Sequence, residues 1–216
     1  MEKRRKNNLG FVALLLLLLV ATIIPSGQLN AASKKKAAKR AYDKLLSKSE
    51  IKWRYSTVDS SDLKFALKDI NRDGTPELLI YNENASHSEG WERVYTCYKG
   101  KLKYLGTYTS LTIYPKKKCY QDTYSNQGTW KQRYFTIRKG KRKKLASYEC
   151  SYTRPSGVKY TKKKDDGVTY YYYNMKVNGK KASYKKCMKT IKKLSKSPST
   201  IDYLENTEYN RSLYLE

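Results

Sequence analysis

The residues best suited to chemistry lie between positions 69 and 77. Asp69, Asn71 and Asp73 carry side-chain oxygens at alternate positions, Gly74 follows, and Thr75 and Glu77 continue the alternation. Numbered as a metal loop from Asp69, they fall at positions 1, 3, 5, 6, 7 and 9. Alternating oxygen ligands line one side of a tight loop, the glycine permits the sharp turn, and position 7 offers its backbone carbonyl. An all-oxygen set suits a hard cation, and a loop this flexible suits calcium better than magnesium, which demands near-octahedral geometry. The expected site is therefore a calcium loop over 69–77, with Asp69, Asn71, Asp73, Thr75 and Glu77 as ligands.

Position 12, where an EF-hand places a bidentate glutamate, is Ile80. The expected affinity is correspondingly modest, on the order of 10⁻⁴–10⁻³ M as in extracellular modules. Asp62 or Glu83 could add a ligand by folding back. The same residue types also serve a plain Asp/Asn/Gly turn between strands, for backbone reasons alone. Either way, three carboxylates crowd together in a chain whose formal charge is +27.

Other chemistry is thinly supported. His87 is the only histidine and sits in the polar stretch NENASHSEGWER, and there is no GxSxG elbow to pair with it. Glu77, Glu83, Glu89 and Glu92 could in principle supply a carboxylate pair for glycoside cleavage. An exported hydrolase acting on wall glycan or peptide through carboxylates near 77–92 is thus the alternative to a non-enzymatic binding protein. Four cysteines, Cys97, Cys119, Cys150 and Cys187, are spaced by 22, 31 and 37 residues, without the close pairs of a zinc site. In an oxidising compartment an even number suggests two disulfides, and the other possibility is four buried thiols acting as small apolar groups.

The elements that must position the loop follow from periodicity. In SKKKAAKRAYDKLLSK (33–48), Ala37, Ala41 and Leu45, and Ala38, Tyr42 and Leu46, recur at helical spacing with lysines opposite. IKWRYSTVDSSDLKFALKDI passes from a short strand through a polar turn into a firmer one, and Leu78–Tyr81 continues as a strand beyond the acidic loop. From Val94 to Tyr173, short aromatic and β-branched runs alternate with KG, GK and DG turns, the pattern of antiparallel hairpins. Asn178-Gly179 closes the last of them. Ser183 then caps a helix with Tyr184, Cys187, Met188, Ile191 and Leu194 on one face, and Pro198 lies beyond its end. The tail over 199–215 is expected to be helical in part. The expected fold is α+β: one curved antiparallel β meander, with an N-terminal helix and C-terminal helices packed on it.

The first 32 residues read as a secretory signal peptide: basic MEKRRKNN, an apolar run from Leu9 to Ile24, and a small-residue exit at Ala31 or Ala32. That run is 16 residues long, short for a membrane span of about 20. Residues 33–216 would form one secreted domain. Because the first 32 residues hold four basic residues and one acid, the charge would fall from +27 to +24. Such a field favours polyanionic partners, of which anionic cell-wall polymer is the nearest for an exported protein. No pattern of a dedicated nucleic-acid reader is present. An aromatic content of 13%, with 22 tyrosines, argues for a folded chain. In the run Tyr170–Tyr173, alternate side chains are expected to face core and solvent.

DINRDGTPELLIY resembles the strand-flanked DxDxDGxxEL calcium loop of dockerin-like, integrin-type and VCBS-like proteins. More widely, the signal segment, the Y-x-K-x-L of the first helix, FALKDINRDGTPELLI, KVNGKKASYKK and LENTEYNR are together similar to a group of uncharacterised exported proteins of anaerobic Gram-positive bacteria. This resemblance spans most of residues 33–216. It implies export and calcium at Asp69, Asn71, Asp73, Thr75 and Glu77. The expected whole is a secreted, calcium-stabilised, strongly basic binding or adhesion protein at the cell surface.

Overall fold

The computed structural model describes residues 26–216. The chain runs through helix α1 (Ser26–Leu46), strands β1 (Glu50–Lys52), β2 (Thr57–Asp59), β3 (Lys64–Lys68), β4 (Glu77–Tyr81), β5 (Glu92–Tyr98), β6 (Lys101–Tyr108) and β7 (Leu111–Tyr114). It continues with β8 (Cys119–Asn126), β9 (Thr129–Arg138), β10 (Lys141–Ser151), β11 (Tyr160–Asp165), β12 (Val168–Val177) and β13 (Lys180–Lys181). Helix α2 (Tyr184–Leu194), β14 (Leu204–Glu205) and helix α3 (Glu208–Leu215) complete it. The expected signal segment falls largely outside the described residues. No described helix is long and apolar enough to cross a membrane.

The α+β expectation holds, with one correction: the strands form two principal antiparallel sheets rather than one curved meander. A five-stranded sheet has the order β14-β3-β4-β5-β6, and a seven-stranded sheet runs β11-β12-β10-β9-β8-β7, with β13 paired to β12. The chain changes sheet across Thr109 and Ser110, between β6 and β7. The two sheets stack, and their interface holds Ala66, Leu79, Val94, Tyr120, Phe135 and Ile137.

This stacking explains why FAL and LLI are continuous apolar runs. Phe65, Leu78 and Ile80 point to one core, with Ala38, Tyr42 and Leu46 of α1 and Leu215 of α3. Ala66 and Leu79, between them in sequence, point to the inter-sheet core. A strand buried on both faces has no polar side to alternate with. On the far side of the seven-stranded sheet, Tyr114, Cys119, Tyr134 and Ala146 are covered by Ile191 and Leu194 of α2. The layers are therefore helix, sheet, sheet, helix.

Helix α1 buries the expected stripe of Ala38, Tyr42 and Leu46 completely. It begins seven residues before Ser33, through a stretch containing the strong helix formers Ala31 and Ala32. Ser183 caps α2 by accepting from the Lys186 amide. The hairpin turns at Lys99-Gly100, Lys139-Gly140, Asp166-Gly167 and Asn178-Gly179 hold both residues at positive φ, the two-residue geometry that matches strand twist. Gln127-Gly128 does the same, a turn that composition does not advertise.

The C-terminal segment returns to the start of the fold. β14 pairs with β3, and buried Asn206 donates from Nδ2 to the carbonyls of Leu46 and Ser60 at 2.9 and 2.8 Å.

Two further corrections concern side chains. Cys97, Cys119, Cys150 and Cys187 are all free, the last three buried, and no pair approaches disulfide distance. They sit on β5, β8, β10 and α2 as small apolar groups, without cross-links. The run Tyr170–Tyr173 does not divide into core and solvent, since all four side chains are half-buried. Tyr170 and Tyr172 join Trp130, Tyr148, Tyr152 and Tyr184 on one face, and Tyr171 stacks edge-on with Tyr160 on the other. The β11–β12 end of the seven-stranded sheet does not pack on the five-stranded one, so neither face meets a full core.

Candidate metal centre

Strands β3 and β4 pair in register from Lys68↔Glu77 to Lys64↔Tyr81, so the segment 69–76 is their connection. Its polar side chains turn inward on their own backbone. The two Asp69 carboxylate oxygens accept from the amides of Asp73 and Gly74, at 3.1 and 3.0 Å. Asn71 Oδ1 also accepts from the Asp73 amide at 3.0 Å, and Asp73 Oδ1 accepts from the Thr75 amide at 3.0 Å. Asn71 Nδ2 donates to Asp73 Oδ2 at 2.9 Å. Arg72 and Gly74 both take positive φ, 57° and 85°, which makes the sharp reversal. Glycine is suited to that conformation, having no Cβ to clash.

Glu77 behaves differently. Its side chain is completely buried; Oε2 accepts from the Ile70 amide at 2.9 Å and Oε1 from Thr96 Oγ1 at 3.1 Å. It therefore bolts the base of the loop to β5. Burial above all, and then the Asp73 and Asp69 charges, hold its carboxyl up at about 8, although both hydrogen bonds favour ionisation. From the other side Tyr42 of α1 donates to the Pro76 carbonyl at 2.8 Å. Thus the first helix stripe and the fifth strand both hold the loop. Neither Tyr42 nor Thr96 is recognisable from sequence as a support, because each acts from more than 15 residues away.

The structure brings Asp69, Asn71 and Asp73 into one turn, with Thr75 buried beside them and Glu77 anchored beneath. Among the described residues, no group of three or more His, Cys, Asp and Glu side chains converges as a metal cluster. Glu83 is engaged by Lys64 at 2.8 Å, and Ile80 is buried on β4. No ion pair among the described residues involves Asp69, Asp73 or Glu77. The donor set fits calcium in kind: side-chain oxygens at alternate positions, with each Asp69 and Asp73 carboxylate oxygen keeping lone pairs beyond its one hydrogen bond.

The carboxylates considered for hydrolysis are dispersed. Glu77 opens β4, while Glu92 pairs with Tyr81 at the far end of that strand. Glu92 Oε2 accepts from the Leu111 amide at 2.5 Å and Oε1 from Tyr203 Oη at 2.8 Å; burial lifts its carboxyl to about 7. Glu89 closes the loop after β4, accepting from Ser56 Oγ at 2.8 Å and from the Ser86 amide. His87 lies against Trp91 and Tyr124, with ring centroids 5.7 and 5.1 Å away.

Comparison with protein-family models, curated proteins and solved structures finds no match for this chain.

Proposed function

We propose that this is an exported, calcium-stabilised, strongly basic binding protein held at the cell surface by anionic wall polymer. The observation that carries the calcium part is the placement of Glu77. A fully buried carboxyl sits beside Asp69 and Asp73, and among the described residues no cationic side chain pairs with any of the three. A cation held by Asp69, Asn71, Asp73, the Thr75 carbonyl and Glu77 supplies the missing positive charge. Its role is structural: it ties β3 to β4, and the binding energy becomes folding energy.

The polymer part rests on the net charge and on where it is displayed. Lys162, Lys163 and Lys164 are exposed along edge strand β11, beside the half-buried tyrosines of β12. Lysines meet anionic groups while aromatic faces accept sugar rings.

Thermal melting with and without about 10 mM calcium tests the first part. With a dissociation constant of 10⁻⁴–10⁻³ M, the gain is about 1–3 kcal/mol, or roughly 3–10 °C for a chain of this size. Asp69→Ala and Asp73→Ala abolish that shift. An unchanged wild-type melt would remove the site. Retention on purified wall polymer, lost steeply with added salt, tests the second part. Turnover of wall glycan or peptide that vanishes in Glu89→Gln or Glu92→Gln would replace the binding reading with the hydrolytic one.

A further inference from the structure

A cleft of about 610 Å³ lies between edge strand β6 and the β9–β10 hairpin, lined by Arg54, Arg93, Arg133, Lys141, Arg142 and the ring of Tyr104. The cations come from the β1–β2 turn, β5, β9 and β10, so no local stretch of sequence assembles them. Arg133 is neutralised by buried Asp122 on β8, which accepts from its Nε at 2.6 Å. No ion pair among the described residues involves Arg54, Arg93, Lys141 or Arg142.

Arg93 is the informative member. The residue is only 7% exposed, and its buried Nε has no hydrogen-bond partner. The guanidinium lies 3.8 Å from the Trp53 ring centroid and 5.7 Å from that of Tyr104, and Nη1 donates to the Lys52 carbonyl at 2.7 Å. Stacking and one carbonyl leave its charge without an anion, which is costly for a buried cation. Arg142 is seated just as deliberately. Its Nη1 donates to Tyr108 Oη at 3.3 Å, and a Cβ at Gly106 would stand 2.6 Å from that nitrogen. Glycine at 106 thus makes the room that the guanidinium occupies. Arg54 Nη1 donates to the Ser88 carbonyl at 2.8 Å.

We infer that this cleft binds the phosphate group of a phosphorylated glycan, with phosphate oxygens on Arg54, Arg93 and Arg142 and the sugar against Tyr104. Planar guanidinium forks match phosphate oxygens in pairs. A single carboxylate would leave more positive charge uncompensated than a phosphate does, and the cleft has volume beyond one oxyanion. Tyr104 is 55% exposed and offers a ring face at the rim. That the glycan belongs to the wall polymer rests on the surface-binding reading above; phosphate binding itself does not.

The test titrates the purified protein with inorganic phosphate, and separately with a soluble polymer of sugars joined through phosphodiesters, at about 150 mM salt, where diffuse surface attraction is screened. Arg54→Gln combined with Arg142→Gln weakens phosphate binding about tenfold or more. Lys185→Gln combined with Lys189→Gln on α2 removes the same charge and leaves it unchanged. Equal loss in both double variants, or loss in neither, overturns the site. A measurement on the unaltered protein covers misfolding of the arginine pair. Phosphate should protect Arg54 and Arg142, but not exposed Arg154, from an arginine-specific dicarbonyl, and absence of that selectivity also overturns the site. Polymer retention separates this inference from the reading it builds on. Retention that survives the arginine changes refutes the polymer as the cleft's ligand and spares surface binding. No retention with phosphate binding intact refutes surface binding and spares the cleft.

Discussion

The five-stranded sheet and the β11–β12 end of the seven-stranded sheet are both antiparallel and rich in tyrosine and charge, yet they use these residues in opposite ways. The former is covered on both faces, by α1 and α3 on one side and the second sheet on the other. It takes carboxyls inside, at Glu77 and Glu92, and holds each with two hydrogen bonds. The latter is covered in part by α2, keeps its four consecutive tyrosines half-wet and leaves its lysines in solvent. Layering, rather than composition, decides where a charge must find a partner. A cation in water at β11 needs none, whereas a carboxyl under the 69–77 loop does.

The largest expected effect probes that contrast directly. Leu79→Ala opens a cavity between the sheets and costs about 2–5 kcal/mol, while Tyr171→Ala loses one half-exposed aromatic pair, about 1 kcal/mol. Urea unfolding measures both, and equal costs would erase the distinction. Acidity comes next. Glu92 titrates near 4.5 unfolded but at about 7 folded. Between those values the folded state holds a proton that the unfolded state has released, so stability falls as pH rises through the window. The fall from this group is about 3 kcal/mol at most. Melting from pH 5 to 8 without calcium should show that decline, and Glu92→Gln should make it shallower; an unaltered slope would mean that the carboxyl is solvated. The calcium shift and its loss in Asp69→Ala follow, at about 1–3 kcal/mol. Smallest is Tyr42→Phe, which removes the hydroxyl under the Pro76 carbonyl at a cost of about 0.5–1.5 kcal/mol. A neutral result there would detach α1 from the loop.

Local features were the legible ones. The α1 stripe, the Ser183 cap and four of the two-residue turns follow from side-chain periodicity and from the left-handed backbone those turns require. The loop residues 69–77 were legible as a unit because their spacing is itself the geometry. What escaped depends on which surface covers which. Nothing near Thr109-Ser110 marks a change of sheet, since a short polar link reads alike within a meander or between layers. Alternation across Tyr170–Tyr173 specifies two faces without saying whether anything lies over them. The supports of the loop, Tyr42 and Thr96, and the arginines around β6 are joined only by the tertiary fold.

Asn206 gives this fold a timetable. Its amide satisfies the carbonyls of Leu46 and Ser60, 160 and 146 residues earlier, while β14 shields the free edge of β3. Until residues 204–215 emerge, α1 lacks its closing contact and the five-stranded sheet presents an open strand. The layer that begins the chain is thus completed by its last segment, and contacts of such sequence separation make folding slow. Shortening the chain before Leu204 would remove β14 along with Asn206 and leave β3 free to pair with a neighbouring molecule, which makes aggregation, rather than a smaller folded protein, the expected consequence.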